Sequence, residues 1–185
     1  MRNSRHRATG YRLLYCIPLL LFLASCAQQE REKEYVPEDY AQWERTTDTR
    51  LDFPVPGHGS GLRKIYIDPT GQTVEPPEGS DEAWQYPDGT IIVKEIYPSP
   101  EPSDGVAPDS LAVMVKSPQD PRSRGGWLWI TTEPGSDEER IFTEQFCVTC
   151  HSNANEEHPY GDGNPGEEYR DFVYYPYRGE EPVQD

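Results

Sequence analysis

Tyr86-Pro87-Asp88-Gly89-Thr90-Ile91-Ile92-Val93-Lys94-Glu95-Ile96-Tyr97 places a turn signal directly before an apolar run of strand length. Pro-Asp-Gly punctuates the chain, and the β-branched residues after it favour extended backbone. Side chains alternate along a strand, so Lys94 shares a face with Ile92 and Ile96, and Ile91, Val93, Glu95 and Tyr97 form the other. The two faces are about equally apolar, so periodicity leaves open which one meets a core. Three further runs have strand length: Leu62 to Asp68, Leu111 to Lys116 and Trp127 to Thr132. Pro- and Gly-rich loops separate them. The 19 prolines, mostly between these runs, argue against a helical bundle. The expectation is a mostly β domain, an antiparallel sheet with a few short helices.

Arg63 shares a face with Ile65 and Ile67, as Lys94 does with Ile92 and Ile96. A cation among apolar side chains is costly unless it is paired, reaches water or serves a site. An outward-facing strand surface, or a lysine that discourages pairing at a sheet edge, explains the pattern without any site.

Near the C-terminal end stands Cys147-Val148-Thr149-Cys150-His151. Two thiols three positions apart can each add across a vinyl group of a haem, and the histidine that follows can ligate its iron. A zinc site would need a second pair of soft ligands, and His158 alone does not complete a tetrahedron. A thioredoxin-like pair would sit in the strand-to-helix turn of a βαβ unit. The segment Asp137 to Phe146 reads instead as one short helix. A structural disulfide beside a chance histidine is the remaining alternative.

The other end of the chain favours haem attachment. Arg2, Arg5, Arg7 and Arg12 precede an apolar run from Leu13 to Ala24, too short to be a comfortable membrane span. Leu23-Ala24-Ser25-Cys26 resembles the lipobox of bacterial lipoproteins, which implies cleavage after residue 25 and a lipid on Cys26. Ala27 after it leans toward outer-membrane sorting on the periplasmic side. The four cysteines are then accounted for. Cys16 leaves with the signal, Cys26 takes lipid, and Cys147 and Cys150 take haem.

Cleavage removes four of the 17 basic residues and none of the 33 acidic ones, leaving side chains that sum to about −20. Such a surface repels nucleic acid and anionic headgroups, so the membrane would be held through the Cys26 lipid alone. It also favours a basic redox partner, although acidity by itself keeps a protein soluble. The expected organisation is a signal peptide over 1–25, a lipidated tether over 26–60 with a short helix from Glu38 to Thr46, a haem domain over 61–175, and an acidic tail over 176–185.

Five blocks in order resemble the cytochrome P460 family. They are Leu62-Arg63-Lys64-Ile65-Tyr66-Ile67-Asp68-Pro69, then Tyr86 to Glu95, Leu111-Ala112-Val113-Met114-Val115-Lys116, Gly126-Trp127-Leu128-Trp129, and the Cys-Val-Thr-Cys-His motif followed by Asp171-Phe172-Val173. The haem motif is generic, and Pro-Asp-Gly-Thr…Val-Lys-Glu is the specific block. The resemblance implies an antiparallel β fold, usually dimeric, with one covalently bound haem c whose iron is five-coordinate. One branch of the family oxidises hydroxylamine at a haem bonded to a lysine side chain. The other, the cytochromes c′-beta, binds nitric oxide or similar gases without that bond.

By this likeness Lys94 corresponds to the crosslinking lysine and Arg63 to an arginine of the haem pocket. Cys147, Cys150 and His151 are the attachment and proximal residues. Asp109, Glu95 and Glu101 all remain open as the distal acid. Occupation of the sixth iron position by Met114, His58 or His158 would make the protein an electron carrier instead.

Overall fold

The computed structural model describes residues 35–75 and 84–179. The signal segment, Cys16, Cys26 and residues 180–185 of the acidic tail lie outside them. Six strands form one antiparallel sheet in simple sequence order. They are β1 (Glu44–Arg45), β2 (Arg63–Ile67), β3 (Ile91–Ile96), β4 (Ser110–Lys116), β5 (Trp127–Thr132) and β6 (Arg140–Phe142). Among the described residues one α-helix, α1 (Phe146–His151), follows and runs into a 3-10 turn at Ser152–Asn155. Among the described residues no helix is long and apolar enough to cross a membrane.

The turn before β3 forms as its composition dictates. Thr90 N donates to the Pro87 carbonyl at 3.1 Å, and Gly89 takes φ 89°. A positive φ at the third position of such a turn is where glycine is needed. The register then sorts the side chains. Lys94 stands opposite Ile65 on β2 and Ala112 on β4, and Ile92 opposite Ile67 and Met114. Met114 in turn faces Trp129, and Trp129 faces Phe142. One sheet face therefore carries Ile67, Ile92, Met114 and Trp129, joined by Trp84, Tyr86 and Val173 from loops. The other carries Val93, Leu111, Val113, Leu128 and Ile130, covered by Val36, Tyr40 and Trp43. Both faces are buried, which is why the two halves of the alternation are equally apolar. The edge strands are two and three residues long, which limits the ladder groups open to unwanted pairing.

Two local expectations change. In place of a helix from Glu38 to Thr46 there is a 3-10 turn at Tyr40–Gln42 followed by β1. Pairing of Glu44 and Arg45 with Ile67 and Tyr66 satisfies the free edge of β2, a gain that an isolated turn of helix cannot match. Likewise Asp137 to Phe146 is not one helix. Arg140–Phe142 pairs with β5, and the helix starts only at Phe146. Consecutive Ile141 and Phe142 pack on opposite sheet faces, an arrangement only a strand permits. Residues 35–60, expected as tether, include Val36 at 1% and Leu51 at 3% exposure, so this stretch contributes to the core.

Candidate functional site

The cavity face of β2 and β3, the helix α1, the loop over residues 51–58 and the segment around Val173 to Tyr175 enclose a cavity of about 330 Å³. That lies in the range of small-molecule and cofactor sites. The helix contributes Cys147, Cys150 and His151 to its wall. Residues three and four apart share a helix face, so Cys147 presents with both Cys150 and His151. The two thiols are free and half-buried. Burial pushes the Cys147 thiol up, partly offset by its own backbone N–H and by the Lys94 charge.

His151 is the most firmly held of the three. Its Nδ1–H donates to the Phe172 carbonyl at 2.9 Å, which fixes the tautomer and leaves Nε2 free. Trp129 lies 4.7 Å and Tyr174 5.4 Å from its ring, centroid to centroid. Burial, and then the Lys94 charge, lower its pKa to about 3, so the ring is neutral and ready to ligate. Tyr174 OH donates to the Cys150 carbonyl at 2.8 Å, tying the helix end to the tail.

The carbonyl that orients His151 is itself anchored. Asp171 and Phe172 both adopt left-handed backbone, at φ 48° and 68°. Asp171 is 3% exposed and receives Lys116 Nζ at 2.7 Å, Trp127 Nε1 at 3.2 Å and Tyr86 N at 3.2 Å. A Cβ at Gly125 would stand 2.8 Å from the Phe172 ring, so that position admits glycine alone. The structure thus explains the Asp171-Phe172-Val173 block as the support of the histidine. Sequence reading registered the block without seeing that job.

Lys94 enters the cavity from the sheet. Burial, then the nearby Arg63 charge, lower its pKa to about 7, so its amine is largely neutral just above that pH. Arg63 is 3% exposed and also lines the cavity. Its Nη2 donates to the Phe53 carbonyl at 2.7 Å, and its guanidinium covers the Phe53 ring at 4.8 Å. Nη1 is buried with no partner. A buried, always-charged donor without an acceptor is costly and calls for an anion.

None of the three candidate distal acids lines the cavity, and among the described residues no carboxylate does. Glu95 points to the opposite face and accepts from Tyr97, Tyr40 and Tyr66 hydroxyls at 2.8, 3.1 and 3.4 Å. Glu101 borders a separate surface groove beside Lys64 and Tyr97. Asp109 is held by its backbone N–H on the Ile96 carbonyl. Of the three candidate sixth ligands, His158 stacks on Tyr160 and Tyr174 outside the cavity wall, whereas Met114 and His58 line it.

A haem fits this set of groups. The apolar wall of Ile65, Ile92, Met114, Trp129 and Val173 suits a porphyrin face, and the orphaned Arg63 Nη1 suits a propionate carboxylate. His151 Nε2 suits iron, and the two thiols stand on the same helical turn.

The family described as Cytochrome P460 matches residues 37–175. No curated protein matches the chain significantly. The match takes in all six strands, the helix and the cavity they build, so the chain belongs to the cytochrome P460 family, a haem protein whose cofactor carries iron.

Proposed function

We propose that this is a lipid-anchored periplasmic protein that oxidises hydroxylamine, or a related reactive nitrogen species, at one covalently attached haem c bonded also to Lys94. The observation that carries the reading is Lys94, a half-buried lysine that shares one cavity with Cys147, Cys150 and His151. A cation enclosed among Ile65, Ile92 and Ala112 gains little from packing. A neutral amine bonded to a porphyrin edge removes that cost. When bound, haem supplies an iron position open to a small nitrogen ligand and takes up electrons from it.

The chain does the rest. Cys147 and Cys150 would hold the macrocycle by its vinyl groups, and Arg63 would neutralise a propionate through Nη1. His151, its Nδ1–H held by the Phe172 carbonyl, would offer Nε2 to the iron, and that hydrogen bond would strengthen its donation. The cavity wall excludes bulky substrates and bulk water. Among the described residues no carboxylate lines the cavity, and His58, kept neutral by burial and the Lys94 charge, is the imidazole at its wall. The lipid on Cys26 keeps the protein at the outer membrane, where a basic redox protein takes the electrons. A second copy of the chain completes a dimer.

The carboxylate-free, aromatic lining, with Phe53, Trp129 and Phe142, favours one alternative, binding of nitric oxide at a haem without the lysine bond. An optical spectrum with a hydroxylamine-oxidation assay separates the two. In the first reading the reduced holoprotein has a strongly red-shifted Soret band, and Lys94→Ala removes both the shift and the turnover. A spectrum and intact mass that Lys94→Ala leaves otherwise unchanged would sink the lysine bond.

A further inference from the structure

The turn Gly57-His58-Gly59 is the tip of a loop laid across the cavity. Val55 and Gly59 form an isolated antiparallel bridge, and His58 N donates to the Val55 carbonyl at 3.1 Å. Gly57 and Gly59 both take positive φ, 79° and 67°, which lets the chain reverse on either side of His58. At its start the loop is held by Arg63 through the Phe53 carbonyl. At its tip it meets the ring of Phe146, the first residue of α1, 67% of which is exposed. Pro54, Pro56, Gly57 and Gly59 are themselves exposed, so few apolar contacts hold the loop down.

The imidazole of His58 lines the cavity with its ring centroid 6.1 Å from that of His151 and the two planes at 84°. A metal–imidazole bond is about 2.0–2.1 Å, and a nitrogen in a ring with bonds of about 1.35 Å lies about 1.15 Å from the ring centre. Two imidazoles on opposite sides of one ion therefore have centroids about 6.4 Å apart, whatever angle their planes make. A histidine in simple van der Waals contact across the iron would stand about 8 Å away. The observed separation, which an edge-to-face ring pair also has, is that of two imidazoles with room for one ion between them. His151 has Nδ1 on the Phe172 carbonyl and Trp129 and Tyr174 on its flanks, which leaves Nε2 for the iron.

We infer that His58 is a displaceable axial ligand, which fills the sixth iron position in the resting protein and yields to substrate when its loop lifts. This rests on the proposed reaction of a small nitrogen ligand at iron in this cavity. It makes the five-coordinate iron of that reaction a minor state reached by loop opening. It also couples entry to the loop that Arg63 and Phe146 touch.

The test is the optical and electron paramagnetic resonance spectrum of the ferric holoprotein, wild type and His58→Ala. The wild type is expected to be six-coordinate and low-spin. His58→Ala becomes high-spin and returns to low-spin on addition of free imidazole. A competent state populated at about 0.1–10% lowers apparent affinity by that fraction. Cyanide or nitric oxide is therefore expected to bind the variant roughly ten- to a thousandfold more tightly. A high-spin wild type overturns the inference, and so does a low-spin spectrum that survives His58→Ala. Hydroxylamine turnover is measured separately. A low-spin wild type that His58→Ala converts, with no turnover in either protein, keeps the ligand and discards the proposed reaction.

Discussion

Lys94 and Glu95 are neighbours on β3 and face opposite cores. Glu95 is surrounded by three tyrosine hydroxyls that satisfy its carboxylate. Lys94 has the cavity, the two cysteines, His58, His151 and a second cation near it. The apolar company of Lys94 and Arg63 could be read from alternation alone, because a strand fixes which residues share a side. His58 could not be singled out that way. It lies between glycines in a polar stretch, and only the fold of its loop turns it toward His151. The lowered pKa of Lys94, about 7, carries a pH prediction with a definite sign. Below that value the amine is protonated and has no lone pair to bond with carbon. Above it, the amine is nucleophilic. Joining it to a porphyrin carbon releases two protons and two electrons, which a peroxide takes up. Peroxide treatment of uncrosslinked holoprotein is expected to give the Lys94–haem peptide at pH 8 and little of it at pH 6, read by mass spectrometry after proteolysis. Equal yields at both would contradict the pKa assignment.

Strand spacing exposes β2 to β5, but not the short pieces whose structure comes from partners. β1 and β6 exist because the edges of β2 and β5 offer backbone groups to pair with. Glu38 to Thr46 and Asp137 to Phe146 therefore look helical until that pairing is known. The equal apolarity of β3's faces has an energetic consequence. Ile67→Ala on the cavity side and Leu128→Ala on the other should each cost about 2–5 kcal/mol in denaturant unfolding, since both are buried. A sheet with one solvated face would lose stability from only one of them. The joint between β4, β5 and the tail is a second element-scale device. Asp171→Asn leaves Lys116, 14% exposed at its side chain, without its anion. Breaking such a pair costs about 3–5 kcal/mol. The Phe172 carbonyl should loosen at the same time, so a shifted haem reduction potential is expected beside the lower unfolding midpoint. A conservative Asp171→Glu that recovers stability but not potential would mark the geometry as the controlling factor.

At the scale of the whole molecule, charge and anchor work against each other. A chain of formal charge −16 has no net electrostatic attraction to an anionic membrane, and the proposed loss of its basic leader would make it more acidic. In the proposed lipoprotein, attachment would come from apolar burial of a lipid chain. Cys26→Ser is expected to move the protein from the membrane fraction to the soluble periplasmic fraction, with its haem spectrum unchanged. A variant still in the membrane pellet after a high-salt wash would remove the lipid from the account. The sequence by itself determined the β class, the central strands, the haem motif and the two suspect cations, because these follow from local periodicity and fixed spacing. Only the tertiary structure decided that both sheet faces are covered, that Glu95 turns away from the cavity, and that the Phe172 carbonyl and His58 stand about His151. Those relations join residues far apart in the chain. They are set by strand register and loop packing, neither of which leaves a periodic trace in the residues themselves.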